Sequence, residues 1–238
     1  MIRIGCSGWN YRDWRGRFYP ENMAVKDWFA SYARHFDTVE INNSFYRLPQ
    51  PGTVDKWREQ APPGFCYAVK ANRYLTQSKR LKDCEEPMAR MMASYRHFGA
   101  TLGPILYQLP PSLKCDHERL EAFLRILPGD AVHIFEFRHQ SWYADRTYAL
   151  LEHYGAGFCT HDMPGSLSPR LALGSAAYVR FHGTTSKYRG RYPDPQLADW
   201  AAWMKQQASA GRAVWAYFNN DYDAQAIDDA MRLKDMCS

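Results

Sequence analysis

Apolar and polar residues alternate along several short stretches of the chain, a period that is typical of β-strands. In residues 132–142, which read VHIFEFRHQSW, Glu136 and Arg138 fall on one face of such a strand, and Phe135 and Phe137 fall on the other. Several other stretches repeat this arrangement. Most of them are separated by segments whose apolar residues recur with the period of an α-helix. Polar side chains on one shared face of a helix-covered parallel sheet point into a barrel or a crevice, where their burial is costly. The pattern therefore predicts a functional site on that face.

The same reading along the whole chain predicts an alternation of strands and helices. The predicted strands are residues 3–9, 38–46, 65–73, 103–109, 132–142, 157–162, 176–183 and 213–220. The predicted helices are residues 26–36, 53–60, 87–98, 116–127, 143–154, 197–210 and 224–236. Thr53 and Ser141 are expected to cap the helices that they begin or precede, and Asp116 or a neighbouring residue is expected to cap the helix that ends at residue 127. Residues 163–175 are rich in Pro, Gly and Ser, so the sixth helix is expected to be short or missing.

This order of elements favours a single α/β domain over residues 1–238, folded as a (β/α)8 TIM-type barrel. A doubly wound open sheet is the alternative. It would need an edge strand with one polar, uncovered face, and none of the eight predicted strands is that polar. In a barrel, catalytic groups come from the carboxyl ends of the strands and the loops that follow them.

Ionisable and amide side chains are frequent at these strand ends. The predicted catalytic residues are Glu40, Lys70 and Glu136. The predicted substrate-binding residues are Trp9, Asn42, Tyr46, Asn72, Gln108, Arg138, Arg180, His182, Asn219 and Asn220. We expect the arginines to bind phosphate or carboxylate, the lysine and glutamates to move protons, and the aromatic residues to stack. Glu40 and Glu136 lie on strands three apart and are expected to face each other across the mouth, a geometry that also admits glycoside hydrolysis.

Each of these residues also has a purely structural interpretation. A strand-end Asn commonly caps a turn, a lone His commonly satisfies a hydrogen bond, and Glu136 and Arg138 are close enough to pair with each other. Five charged side chains that converge inside one barrel are harder to explain in this way, because buried ion pairs stabilise a fold poorly. We therefore favour the functional interpretation for the set as a whole.

Composition limits the cofactors and partners. No Gly-rich nucleotide loop, G-x-S-x-G elbow or H-E-x-x-H motif occurs, so no cofactor is implied. A divalent metal could use Glu40, Glu136, His161, Asp162 or His182, but nearby cations oppose it and no ligand spacing is diagnostic, so no metal site is predicted. Six scattered cysteines predict reduced thiols in a cytoplasmic protein, and no apolar stretch is long enough for a membrane span. The oligomeric state stays open.

Seven strings carry a resemblance to a known family. They are IGCSGWNYRDW, VEINNSFYRLP, KANRYLT, LGPILYQLPPS, FEFRHQSW, YVRFHG and YFNND, in this order along the chain. Together they resemble the YecE-like family of TIM-barrel proteins, a domain of unknown function, so the resemblance implies the barrel but no reaction. The family pattern has a His after the Thr in the loop that follows the third strand. Gln77 follows Thr76 here, so a catalytic role of that His does not carry over.

The leading hypothesis is an enzyme that acts on a small anionic or hydroxylated molecule by Glu and Lys acid–base chemistry at the barrel mouth. A nucleic-acid-binding or phosphodiester-processing barrel is the first alternative. The net charge is +5, and Arg, Lys and Tyr are concentrated in the loops at residues 10–23 and 184–192. A noncatalytic metabolite-binding protein is the second alternative. It would be stabilised by its ligand without turning it over.

Overall fold

Eight parallel strands form the sheet, and the computed structural model describes all residues 1–238. The strands are β1 (Ile2–Cys6), β2 (Thr38–Ile41), β3 (Cys66–Lys70), β4 (Leu102–Gln108), β5 (His133–Glu136), β6 (Gly157–Asp162), β7 (Ala176–Phe181) and β8 (Ala213–Phe218). They lie in the order β1-β8-β7-β6-β5-β4-β3-β2, with each neighbouring pair parallel. This order wraps the sheet into a nearly closed barrel, which confirms the predicted TIM-type fold and excludes the doubly wound sheet.

Helices separate most consecutive strands. They are α1 (Trp28–Tyr32), α2 (Asn43–Tyr46), α3 (Pro51–Gln60), α4 (Glu85–Tyr95), α5 (His117–Arg125), α6 (Asp145–His153), α7 (Asp194–Ser209) and α8 (Gln225–Cys237). No helix lies between β6 and β7, as the composition of residues 163–175 predicts. No helix combines the length and the apolar character that a membrane span requires.

Several predicted element boundaries are wrong. The second strand ends at Ile41, and the chain then turns into the short helix α2. Thr53 lies inside α3, which begins at Pro51 because proline fits the first helical turn, where its missing N–H is not needed. Ser141 does not cap α6, and its hydroxyl instead accepts a hydrogen bond from the Cys115 N–H. Asp116 does cap α5, since its carboxylate accepts the Arg119 N–H at 3.0 Å.

The seam between β1 and β2 is the place where the ring of backbone hydrogen bonds is interrupted, because no ladder pairs these two strands. The hydroxyl of Tyr32, from α1, lies in this seam. It accepts the Cys6 N–H of β1 at 2.8 Å and donates to the Thr38 carbonyl of β2 at 3.0 Å. Gly5 makes this approach possible, since a Cβ there would meet the Thr38 carbonyl oxygen at 2.4 Å.

The apolar residues form two clusters on either side of the barrel wall. The larger cluster lies between the strands and the surrounding helices, and the smaller one lies inside the barrel. The inner cluster consists of Ala68, Leu106, Ile134, Cys159, Ala176, Tyr178, Trp215 and Tyr217. It closes the lower part of the barrel, so the charged side chains above it face an apolar floor.

Candidate active site

Charged side chains line the barrel just above the apolar floor. Lys70 ends β3 and Glu136 ends β5, while Glu40 and Arg180 each lie one residue before the end of their strands, β2 and β7. All four face inward because they alternate with residues that pack against the helices. Each of the four is at most 9% exposed. The structure therefore brings together the predicted catalytic residues and one predicted anion-binding residue.

Arg180 joins the two glutamates. Its Nε and Nη2 donate to Glu40 Oε1 at 3.2 and 2.8 Å, and its Nη1 donates to Glu136 Oε2 at 2.8 Å. Glu40 also accepts the Ser7 hydroxyl at 2.7 Å and the Tyr178 hydroxyl at 2.6 Å. Every nitrogen of Arg180 thus donates to a buried carboxylate, so this arginine is not free to bind an anion as the sequence suggests.

Arg138 is more weakly held. Its Nη2 forms an ion pair with Glu136 Oε1 and lies 3.1 Å from His182 Nε2, and its Nη1 contacts the Met163 sulfur at 3.2 Å. Its Nε is buried and has no hydrogen-bond partner. A thioether is a weak acceptor, so Arg138 retains donors that an incoming anion can take. Of the two predicted anion-binding arginines, the geometry favours this one.

Lys70 is a buried amine without a carboxylate partner. Its Nζ donates to Gln108 Oε1 at 2.6 Å and lies 4.1 Å from the centre of the Phe45 ring. It forms no ion pair within 4.0 Å, although it shares the barrel with two glutamates. Burial, aided by the charge of Arg180, lowers the pKa of Lys70 to about 7. Near neutral pH a large fraction of this amine is therefore uncharged.

Glu136 and two nearby histidines have pKa values far from neutrality. Burial raises the pKa of Glu136, but the charges of Arg138 and Arg180 outweigh it and hold the pKa well below its usual range. Burial and the same arginines lower the pKa of His161 to about 4, and that of His182 well below its usual value. At neutral pH, Glu136 is ionised and both imidazoles are neutral, so of these four side chains Lys70 has the pKa closest to neutrality.

The imidazoles carry unsatisfied polar atoms. Nδ1 of His161 and Nδ1 of His182 are buried without hydrogen-bond partners, and the former lies 3.9 Å from Glu136 Oε1. The other nitrogen of His161 lies 3.2 Å from the Ser166 hydroxyl. Buried polar atoms without partners are uncommon in folded proteins and often mark functional sites.

Other predicted binding residues reach the same mouth. The side-chain oxygen of Gln108 accepts the hydrogen bond from Lys70, and its main-chain oxygen accepts a hydrogen bond from the side-chain amide of Gln77 at 2.8 Å. Gln77, which stands where the family pattern has a His, thus helps to position Gln108. Asn219 follows β8 on the inward face and is 7% exposed. Asn42 and Trp9 line a separate cavity of about 240 Å3 beside the mouth. The Oδ1 of Asn42 is buried there without a partner.

Three predicted binding residues lie away from the cluster. Asn220 points outward, because neighbouring residues of a strand face opposite sides, and donates to Asp229 of α8 at 2.8 Å. Asn72 links two loops, donating to the Ser44 carbonyl and accepting the Tyr74 N–H. Tyr46 ends α2 and is 67% exposed. The first two have structural contacts, and the third has no contact with the charged cluster.

Four residues near the cluster were not selected from the sequence. Ser7 and Tyr178 hold Glu40, Phe45 lies under Lys70, and Met163 contacts Arg138. Tyr178 alternates with Arg180 along β7, so the period of two could have identified it. The other three lie after the ends of strands or in short helices, where no periodic signal indicates direction.

No group of three or more His, Cys, Asp or Glu side chains is arranged to hold a metal ion. Glu40 and Glu136, which the sequence offers as possible ligands, are both paired with arginine. A metal ion at these oxygens would have to displace a guanidinium group.

Comparisons with known proteins agree with the fold. The model of a family described as "Protein of unknown function DUF72" matches residues 3–238. The UPF0759 protein YunF of Bacillus subtilis is 27% identical over 99% of this chain and 94% of that protein. The UPF0759 protein YecE of Escherichia coli is 28% identical over 60% of this chain and 51% of its own length. The crystal structure of a DUF72 family protein from Thermotoga maritima has a TM-score of 0.88 at 27% identity, covering 99% of this chain and 98% of that one.

Proposed function

The chain belongs to the DUF72 family, and we propose that it is an enzyme acting on a small anionic or hydroxylated molecule at the mouth of the barrel. The observation that carries the proposal is that the same barrel holds a buried amine and a guanidinium group that both lack part of their hydrogen-bond partners. Lys70 has no carboxylate partner, and Arg138 has a buried Nε without an acceptor. Burying charged groups without all of their hydrogen-bond partners destabilises the folded protein, and such groups are common at functional sites.

The roles follow from the protonation states. Lys70 accepts and returns a proton, because its pKa of about 7 matches neutral conditions. Arg138 binds the anionic group of the substrate, while Glu136 orients Arg138 and Glu40 holds Arg180 in place. Asn219, with no side-chain hydrogen bond of its own, is available to orient a hydroxyl or carbonyl group.

A ligand screen tests this proposal. The purified protein is heated with phosphorylated sugars, carboxylic acids, nucleotides or divalent metals, and the melting temperature is recorded for each. We expect a saturable rise with one class of small anion, lost in Arg138→Gln and retained in Arg191→Gln. Arg191 is a matched control, because it pairs with the exposed Asp228 of α8 and contacts none of the buried charged side chains. A rise that survives Arg138→Gln would show that the anion binds elsewhere.

Turnover separates an enzyme from a noncatalytic binding protein. For a compound found by the screen, we expect Glu136→Gln to abolish turnover while the variant still folds, because Arg138 loses the charge that orients it. Full activity of Glu136→Gln would show that the role given to Glu136 is wrong. Stabilisation by the compound without any chemical change in it would favour the binding protein.

A specific observation keeps nucleic acid as a second candidate. Arg12, Arg15, Lys187 and Arg189 are exposed on the loops after β1 and β7, and none of them has a carboxylate partner. Cations around a barrel mouth can contact phosphates of a nucleic-acid backbone. The test is binding to oligonucleotides at several salt concentrations. An affinity that falls steeply with salt would support this candidate, and weak or salt-insensitive binding would remove it.

A further inference from the structure

The surroundings of the Lys70 amine suit a nucleophile better than a structural cation. An ammonium group has three N–H donors, but a single acceptor, Gln108 Oε1, lies within hydrogen-bond distance. The uncharged amine needs fewer acceptors and has a lone pair that can attack an electrophile. A structural lysine inside a barrel would be expected to pair with a carboxylate, yet Arg180 and Arg138 occupy the nearby glutamates.

The Lys70 side chain also extends toward the mouth of the barrel. The backbone of Lys70 is in register with Leu106, a residue of the apolar floor, whereas its Nζ contacts Gln108, two residues further toward the mouth. The side chain therefore rises from the floor to the charged layer. Lys70 is 9% exposed, and the side chain of Arg138 is exposed to the same extent.

We propose that Lys70 is a nucleophile that forms an imine with a small aldehyde or ketone, and that Arg138 binds a carboxylate or phosphate group of the same molecule. This inference rests on the proposed function and names the substrate class of the same site. Both anionic groups are recognised by the bidentate donors of a guanidinium. A lysine that has no carboxylate partner and lies near other cations is uncharged more often, and the uncharged amine is the form that reacts with carbonyl groups.

The reaction balances without a cofactor. The lone pair of Nζ forms a bond to the carbonyl carbon as the carbonyl π bond breaks, and one of the two protons of the amine passes from the nitrogen to the carbonyl oxygen to give a neutral carbinolamine. The hydroxyl group then leaves as water together with a nitrogen-bound proton, which leaves a carbon–nitrogen double bond. Protonation of that nitrogen by solvent gives an iminium cation. The negative charges of Glu136 and Glu40 stabilise this cation in the same way that they stabilise the protonated amine of Lys70.

Reductive trapping tests the inference. The wild-type protein is incubated with sodium cyanoborohydride and pyruvate, dihydroxyacetone phosphate or acetone, and the modified lysines are located by peptide mass spectrometry. We expect modification of Lys70 by one or both anionic ketones, at least about tenfold over the exposed Lys187 and over acetone at Lys70. Comparing pyruvate with dihydroxyacetone phosphate shows whether the anionic group is a carboxylate or a phosphate. Lys70→Arg should lose the modification.

Two anions without a carbonyl group separate this inference from the proposed function. L-lactate and glycerol 3-phosphate can occupy an anion site but cannot form an imine. If either raises the melting temperature through Arg138 while no ketone modifies Lys70, imine formation is wrong and the proposed function stands. If no anion binds and no ketone modifies Lys70, both are wrong. Equal modification of Lys70 and Lys187 would also overturn the inference, and this readout needs no variant that has to fold.

Discussion

Arg180 is the cation that lies between the two buried glutamates, Glu40 and Glu136. It donates to Glu40 and Glu136, which lie on strands three apart, and it is itself 1% exposed. Two carboxylates inside an apolar wall repel each other unless a cation lies between them. A planar guanidinium can satisfy both at once because its donors point in different directions, which a lysine ammonium at the same position could not reproduce.

Removing this cation should destabilise the whole protein. In Arg180→Met, two buried carboxylates lose their shared partner, and we expect a loss of roughly 3–5 kcal/mol in the free energy of unfolding, measured by urea denaturation. Arg191→Met is the control, since it breaks an exposed ion pair worth at most about 1 kcal/mol. The triple variant Glu40→Gln, Arg180→Met, Glu136→Gln should recover part of the loss. Equal stability of the two single variants would contradict the role given to Arg180.

The seam between β1 and β2 depends on a helix rather than on a strand. Tyr32 reaches from α1 into the barrel wall and supplies both hydrogen bonds that a backbone ladder would otherwise provide there. The hydroxyl is fully buried, as is Cys6, so water cannot replace it. A donor or acceptor left buried without a partner costs about 1–3 kcal/mol.

Removal of this one hydroxyl should open the seam. For Tyr32→Phe we expect a loss of roughly 2–4 kcal/mol in the free energy of unfolding, because the Cys6 N–H and the Thr38 carbonyl both lose their partner. Amide hydrogen exchange should accelerate in β1 and β2 more than in β6 and β7. Tyr46→Phe removes an exposed hydroxyl and should change neither quantity. Uniform acceleration across the sheet would mean that Tyr32 does not act at the seam.

The strands and the inward side chains were predictable because they follow a local period of two. The alternation places Glu40, Lys70 and Glu136 on the inner surface of the barrel. The same rule allows only one of Asn219 and Asn220 to face inward. The partners of these residues were not predictable in this way. Arg180 meets Glu40 across 140 positions of the chain, a contact that depends on barrel curvature and on the lengths of several loops.

For the whole molecule, the barrel separates its charges into two environments. The outside carries the excess of positive charge, and the inside carries a small cluster in which arginine and glutamate charges balance. A proton on Lys70 adds a cation to that balanced interior. The charged groups that face this amine are Arg180, Glu136, Glu40 and Arg138. Folding and the protonation of one buried side chain are therefore linked.

This linkage gives a pH dependence with a definite sign. The pKa of Lys70 is 10.5 in an unfolded chain and about 7 in the barrel, so between these values the unfolded state binds more protons. Through this group the free energy of unfolding rises with pH, by at most about 1.4 kcal/mol per unit. The stability of Lys70→Met relative to wild type should be highest below pH 7 and decline toward pH 10.5. The variant retains all four charged neighbours, so the difference isolates this amine.

Chemical denaturation at several pH values measures this difference. Lys187→Met serves as the control, because this lysine is exposed on the loop after β7 and its removal leaves the barrel interior unchanged. The lost hydrogen bond to Gln108 offsets the Lys70→Met curve without changing its slope. A Lys70→Met difference that does not vary between pH 7 and pH 10 would contradict the lowered pKa.

The missing helix between β6 and β7 makes this protein suitable for engineering a sensor. Hydrogen bonds between Thr160 and Leu171 fix the base of the connection, while Leu167 at its tip is 69% exposed. A peptide or reporter domain inserted after Gly165 would displace no packed helix. Because Met163 of the same connection contacts Arg138, a ligand that binds Arg138, as proposed above, would change the surroundings of the insert. A fluorescent readout of ligand binding could thus be built without altering any strand of the barrel.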